Sequence, residues 1–218
     1  MEKEFQNLLE QIQVAYEKSD IKKYAIKENK EWYYSLFGSN PYIKNPILLV
    51  GLNFGASNED FEAQTIEGIN LLKPFSEMDG NDLGKAFLRL KNYISNYDEI
   101  DIKDIVWTNY CFFRSYGRED LNIIKNDFQL TNEIFMQLIN IIKPKSIICL
   151  SKDLQFYLEE KELLENEVSQ TIEKINSRND YTVLKAKLNN YDFYCLPHPN
   201  YPTKKEQRTK AWDFCFKS

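Results

Sequence analysis

Two apolar runs that stop at polar turns constrain this chain more than any other feature. Pro46-Ile47-Leu48-Leu49-Val50 leads into Gly51-Leu52-Asn53-Phe54-Gly55, and a second run ending at Leu196 leads into Pro197-His198-Pro199-Asn200. Short runs that are apolar without a helical period fit strands buried on both faces, as parallel sheets require. In such sheets ligands bind beyond the carboxyl ends of the strands. Asn53 and the single histidine, His198, therefore stand where an α/β site forms. One offers an amide that orients a water, the other an imidazole.

Around these runs the chain alternates strand and helix. Residues 3–18 carry Phe5, Leu8, Leu9, Ile12 and Tyr16 on one helical face, and residues 20–45 are mixed and aromatic. A strand is expected at 46–51, helices at about 59–72 and 82–95, and a loop from Lys73 to Gly80 between them. Ile102–Cys111 is a second strand, 122–142 a long helix stopped by Pro144, and Ser146–Leu150 a third strand, with Ser151 placed to cap the next helix. Tyr181–Leu188 and Tyr191–Leu196 form a hairpin around Asn189-Asn190, and a last helix starts near 204. This order predicts a largely parallel sheet between helix layers. No linker or repeat divides residues 1–218, so a single domain is expected, with a helical extension over about 1–45.

The apolar stretches are too short to cross a bilayer, and Met1-Glu2-Lys3-Glu4 is not a secretory start, so a soluble, cytoplasmic protein is expected. Cys111, Cys149, Cys195 and Cys215 are far apart and form no CxxC pair. Thiols inside strands act as small core hydrophobes, and neither a zinc nor an iron–sulfur site is expected. The net charge of −5 argues against a protein that coats duplex DNA, though not against one that grips a few phosphates. Charge is uneven: Glu159, Glu160, Glu162, Glu165 and Glu167 crowd together, the pattern of a solvated helix face, and Lys204, Lys205, Arg208 and Lys210 follow His198.

Several side chains bear on chemistry. Gly51 and Gly55 flank Asn53 and allow close backbone approach, so its amide can face a cleft; an ordinary turn explains the same pattern. Pro197 and Pro199 stiffen the loop around His198. Asn109 ends the second strand and can both donate and accept in the plane of a heterocycle, on which Phe75 can stack; as plain alternatives, one is a turn residue and the other core packing. Arg114 and Arg118 suit a phosphate or simply solvent. No Walker loop, GxGxxG, HExxH or Ser/His/Asp order is present.

Taken in order, these segments resemble the uracil-DNA glycosylase superfamily. Gly51-Leu52-Asn53-Phe54-Gly55 is similar to its Gly-x-Asn-Pro-Gly motif, Lys73-Pro74-Phe75 through Gly80 to its Pro-Phe-x-Gly segment, and Val106-Trp107-Thr108-Asn109 to its base-reading strand. Ile142–Leu150 resembles a further family strand, and His198-Pro199-Asn200 the His-Pro-Ser motif. The resemblance implies an α/β fold of three layers with a central, mainly parallel four-stranded sheet. It implies a metal-independent DNA glycosylase, without cofactor and monomeric, that removes uracil or a related altered base from single- or double-stranded DNA. Asn53 would hold the attacking water and His198 would donate to the base oxygen. Gly51, Phe54, Phe75 and Asn109 would line the base site. Asn200, Tyr201 (as a wedge), Lys204, Lys205 and Arg208 would meet the DNA.

The chain also departs from that pattern. Phe54 replaces the motif proline, Asn200 stands where serine is usual, and Ser151 stands where the third strand normally ends in glycine. Asn53 is uncharged and cannot act as a base, so hydrolysis is expected to be slower than with a carboxylate there. Two other classes stay open: a nucleobase- or DNA-binding protein without turnover, and an N-glycosidase of free nucleosides or nucleotides, which the acidic composition suits.

Overall fold

The computed structural model describes residues 1–30, 32–55, 62–98, 100–115, 120–173 and 181–217, apart from the side chain of residue 121. Eight helices occur among them: α1 (Glu2–Lys18), α2 (Asp20–Lys27), α3 (Ile66–Asn70), α4 (Gly80–Ile94), α5 (Leu121–Asn126), α6 (Phe128–Ile142), α7 (Lys152–Glu160) and α8 (Lys205–Phe216). The strands are β1 (Ile47–Gly55), β2 (Ile105–Ser115), β3 (Ser146–Cys149), β4 (Leu164–Ile172), β5 (Tyr181–Leu188) and β6 (Tyr191–Cys195). They form one sheet in the order β2-β1-β3-β6-β5-β4. β2, β1, β3 and β6 are mutually parallel, whereas β5 runs antiparallel to both β6 and β4. The expectation of four strands is thus corrected: the protein is α/β with a mixed sheet of six.

The strand that no sequence pattern marks is β4. Glu165 and Glu167 have the spacing of a solvated helix face, yet they lie exposed on an edge strand. No apolar alternation runs through β4, because only Leu164 and Ile172 at its two ends are buried. Charges on an edge strand also discourage pairing with another chain. The opposite edge, β2, is covered by the segment before β1. Ser35 N–H donates to Phe112 O, Arg114 N–H to Tyr33 O, and Gly38 N–H to Trp107 O, each at 2.9 Å.

Side chains alternate across the pleat, so β1 sends residues to two separate cores. Leu48 and Val50 join Phe5, Leu8 and Ile12 of α1 and Phe135 and Leu138 of α6. Ile47 and Leu49 join Leu90 and Ile94 of α4 and Trp212 of α8. Helices therefore cover both faces, and each fully buried Leu or Ile contributes roughly 1.5–3 kcal/mol. No helix of the described residues is long and apolar enough to cross a membrane.

Two helices differ from expectation for local reasons. The helix expected over 122–142 is interrupted at Asp127, whose carboxylate accepts from the Asp20 and Ile21 N–H groups at 2.8 and 3.0 Å. The helix expected at about 59–72 is reduced to α3, and 56–61 lie outside the described residues. Asn189 and Asn190 both take positive φ (50° and 68°), as a tight hairpin turn requires. Ser151 caps α7, its Oγ accepting from Leu154 N–H at 3.2 Å.

Within α4, Gly84 has φ 66° and ψ 170°, a conformation essentially reserved for glycine, and it kinks the helix. Nothing lies within 4 Å of a Cβ placed there, so Gly84→Ala isolates backbone strain. The substitution is expected to cost about 1–3 kcal/mol, read as a lower urea midpoint at constant m. An unchanged midpoint would rule out the kink.

Candidate functional site

The candidate residues come from different strands but share one face. Gly51 continues the Ile47, Leu49 alternation of β1, Trp107 and Asn109 that of Ile105 in β2, and His198 follows Leu196 beyond β6. All of them therefore lie on the α4/α8 side, but only His198 stands beyond the carboxyl end of its strand. The expectation that Asn109 ends the second strand is corrected, because β1 and β2 stay paired past Gly51 and Asn109 to Gly55 and Ser115.

Gly51 and Asn109 are register partners on adjacent strands. A Cβ at Gly51 would lie 2.0 Å from Asn109 Oδ1, so glycine is what makes room for that carboxamide. Asn109 is 2% exposed, and its Nδ2 is buried with no hydrogen-bond partner. Trp107 Nε1, two residues earlier on the same face, is in the same condition. An unmet buried donor costs about 1–3 kcal/mol, and a planar ligand with carbonyl oxygens would supply the acceptor.

Asn53 sits at a break in the β1–β2 register, which jumps from Asn53 opposite Cys111 to Phe54 opposite Arg114. Its Nδ2 donates to Phe54 O at 2.9 Å and to Ser115 Oγ at 2.8 Å. Those bonds fix the amide plane and leave Oδ1 as the atom that can accept from a water. Nearby, Arg114 is held by Ser35 Oγ through Nε and Nη2, at 3.1 and 2.8 Å.

The His198 loop is built by its own backbone. Asn200 N–H donates to His198 Nδ1 at 3.1 Å, and Tyr201 N–H donates to His198 O at 2.7 Å. With Nδ1 accepting, the neutral ring carries its proton on Nε2 and presents a donor there. Burial first, then the Arg208 and Arg89 guanidinium charges, hold the imidazole below the usual histidine range. The ring is therefore neutral at pH 7. As the only histidine in the chain, its titration is directly visible by NMR. Arg208→Gln is expected to move that titration upward, towards the ordinary value of about 6.5. No movement would mean that burial alone sets it.

Other expected members of the site lie elsewhere. Phe75 has no exposed surface and is packed in the α4/α8 core, so both ring faces are already covered. The expectation of a stacking platform at Phe75 is corrected on that ground. Phe54 is 7% exposed, with its ring 6.2 Å from that of Trp107. Phe87 of α4 stacks on Trp107 at 4.7 Å with a 30° tilt, and meets His198 edge-on at 5.8 Å. β1 and β3 lie between β2 and β6, so Phe87 bridges above them. A chain of rings thus links Trp107 to His198 through Phe87 in this conformation.

The residues expected to meet DNA surround a different feature. A cavity of about 600 Å³ opens beside the His198 loop, bordered by Asn200, Tyr201, Lys205 and Arg208 but not by Asn53, Phe75 or Asn109. Tyr201 is not a projecting wedge: its ring packs edge-on against Tyr181 at 4.9 Å. Lys204 is exposed and forms the N-cap of α8. Arg118 lies outside the described residues.

Burial pushes the Cys215 thiol up to about 12 and raises those of Cys111 and Cys149 as well. All four cysteines are free and buried. Among the described residues, no group of three or more His, Cys, Asp or Glu could hold a metal ion.

Sequence reasoning missed Trp107, Phe87, Ser115 and Arg89 as parts of this region. Trp107 was within reach, since a residue two before Asn109 on a strand shares its face. Phe87, Ser115 and Arg89 depend on how distant segments pack. No family model matches the sequence, and no curated protein matches it.

Proposed function

We propose that this protein is a metal-independent N-glycosylase of the uracil-DNA glycosylase superfamily, releasing uracil or a related altered base from DNA. The observation that carries the reading is the buried, unpaired amide of Asn109 beside Gly51, on the same face as a neutral His198. The run of four adjacent parallel strands within the sheet, β2-β1-β3-β6, is consistent with that superfamily's central sheet.

In this reaction the C1′–N bond breaks, the sugar becomes positive and the base oxygen negative. His198 Nε2–H donates to that oxygen as the charge grows, and Asn109 holds the amide edge of the base. Asn53 Oδ1 orients the water whose oxygen then bonds to C1′. Its proton passes to solvent, and the products are free base and an abasic sugar. Trp107, in place of Phe75, supplies the flat surface, and Phe87 swings aside to admit the base. The target base must leave its stack, at a cost of a few kcal/mol that is lower in a mismatch or a single strand.

A second reading, an N-glycosidase of free nucleosides or nucleotides, is favoured by the net charge of −5. Single- and double-stranded oligonucleotides bearing different altered bases, assayed by mass spectrometry beside the free nucleosides, separate the two. Release of base from DNA, lost in Asn53→Ala and His198→Ala, supports the glycosylase. Release from the small substrates alone supports the second reading. Binding of DNA without release identifies a protein that recognises bases and does not hydrolyse them.

A further inference from the structure

The cavity beside the His198 loop has a chemistry of its own. Arg89 and Tyr93 of α4 face Lys205 and Arg208 of α8 across it, and Asn200 and Tyr201 close one side. No carboxylate is among its lining residues. Arg89 Nη2 donates to Asn200 Oδ1 at 2.6 Å, and Arg208 Nη2 to Tyr201 O at 3.1 Å and Thr203 Oγ1 at 3.4 Å. These acceptors are all neutral, and Arg208 Nε is buried with no partner. Neither guanidinium forms an ion pair among the described residues. Burial and the charge of Arg89 both make the cationic form of Arg208 less favourable.

Arg89 is exposed and Arg208 half-buried, so the two like charges are solvated, yet facing one cavity with a donor left over they favour an anion between them. The first turn of α8 borders the same space. Its N-cap is Lys204, which makes no side-chain cap, so the uncapped positive end of the helix lies beside the cavity that Lys205 and Arg208 line. Paired guanidiniums offer planar, two-pronged donors that match phosphate oxygens. The volume falls in the range of pockets that take a whole small ligand.

We propose that this cavity binds a terminal phosphate, a monoester dianion carried either by a free nucleotide or by the end of a strand. Pro197, Pro199 and Asn200 line it, so one loop carries both this subsite and His198. That the phosphate belongs to a nucleotide rests on the base-releasing function; the phosphate site itself does not.

Titration with inorganic phosphate, followed by ³¹P NMR and calorimetry, tests the cavity without any enzymatic assay. Millimolar or tighter binding is expected, weakened at least about tenfold in Arg208→Gln and in Arg89→Gln. Lys205→Gln, at an exposed helix start, gives the same direction of change should either arginine variant fail to fold. Binding that is undetectable, or equal in wild type and all three variants, overturns the proposal. Deoxyuridine monophosphate against deoxyuridine, and oligonucleotides with against without a 5′ phosphate, then identify the source. Phosphate binding without release of any base keeps the cavity and sinks the glycosylase reading. Base release with no phosphate binding does the reverse.

Discussion

His198→Ala is expected to slow single-turnover base release by roughly 10²–10³-fold, the typical cost of deleting one donor aimed at a developing oxyanion. The imidazole qualifies because its state is fixed from both sides. Asn200 N–H occupies Nδ1, which leaves the proton on Nε2, and burial with Arg208 and Arg89 keeps the ring uncharged. A donor that is already neutral does not titrate over the working range. Base release in the wild type should therefore be flat from about pH 6.5 upwards, the ordinary histidine value. A one-proton fall in rate between pH 6 and 8 (roughly, around that value) would mean that the cation is the active form, which a neutral Nε2–H donor excludes. Folding stability follows the same sign. The folded value lies below the unfolded one, so this contribution is complete above about pH 6.5 and is lost as the pH falls towards the folded value.

Gly51→Ala is expected to damage both the fold and the activity through a single contact. The new methyl would lie 2.0 Å from Asn109 Oδ1, on the neighbouring strand and in a buried position. Overpacking of this kind typically costs about 1–3 kcal/mol, because the carboxamide has to leave its position or the strands have to part. Either response removes the amide that would hold the base. Thermal unfolding and single-turnover release, measured together, check both effects. The pair Gly51→Ala with Asn109→Ala should recover most of the lost stability and none of the lost release. Such a cycle reports a coupling of about 0.5–3 kcal/mol if the two residues exclude one another as described. Normal stability and normal release in Gly51→Ala alone would remove Asn109 from the site.

How far this arrangement was legible in the sequence depended on the range of the interactions that set it. β1 and β3 are buried on both faces and are written as plain apolar runs, and the β5–β6 hairpin is marked by two asparagines that tolerate positive φ. β4 was invisible because an edge strand with two open faces needs no hydrophobic pattern. Asp127 had no local sign of interrupting a helix, since its partners Asp20 and Ile21 lie more than a hundred residues away in the chain. Phe75 looked available for stacking from its Pro-Phe loop, but Leu83 and Leu90 of α4 belong to the core that encloses it. Gly51 and Asn109 each stand out alone. Their mutual dependence is a property of strand register, which neither segment encodes by itself.

If the proposed base site is as described, Phe87, packed on Trp107 and edge-on to His198, would be its stopper. A guest ring would then meet a seat already taken, and would settle only in the fraction of molecules whose phenylalanine had rotated clear. Were that fraction about one in a hundred, the measured dissociation constant would be about a hundred times the intrinsic one. Trimming the stopper to alanine should then tighten the hold on free bases while relaxing selectivity among them, because an ill-matched guest would no longer have to compete for its place.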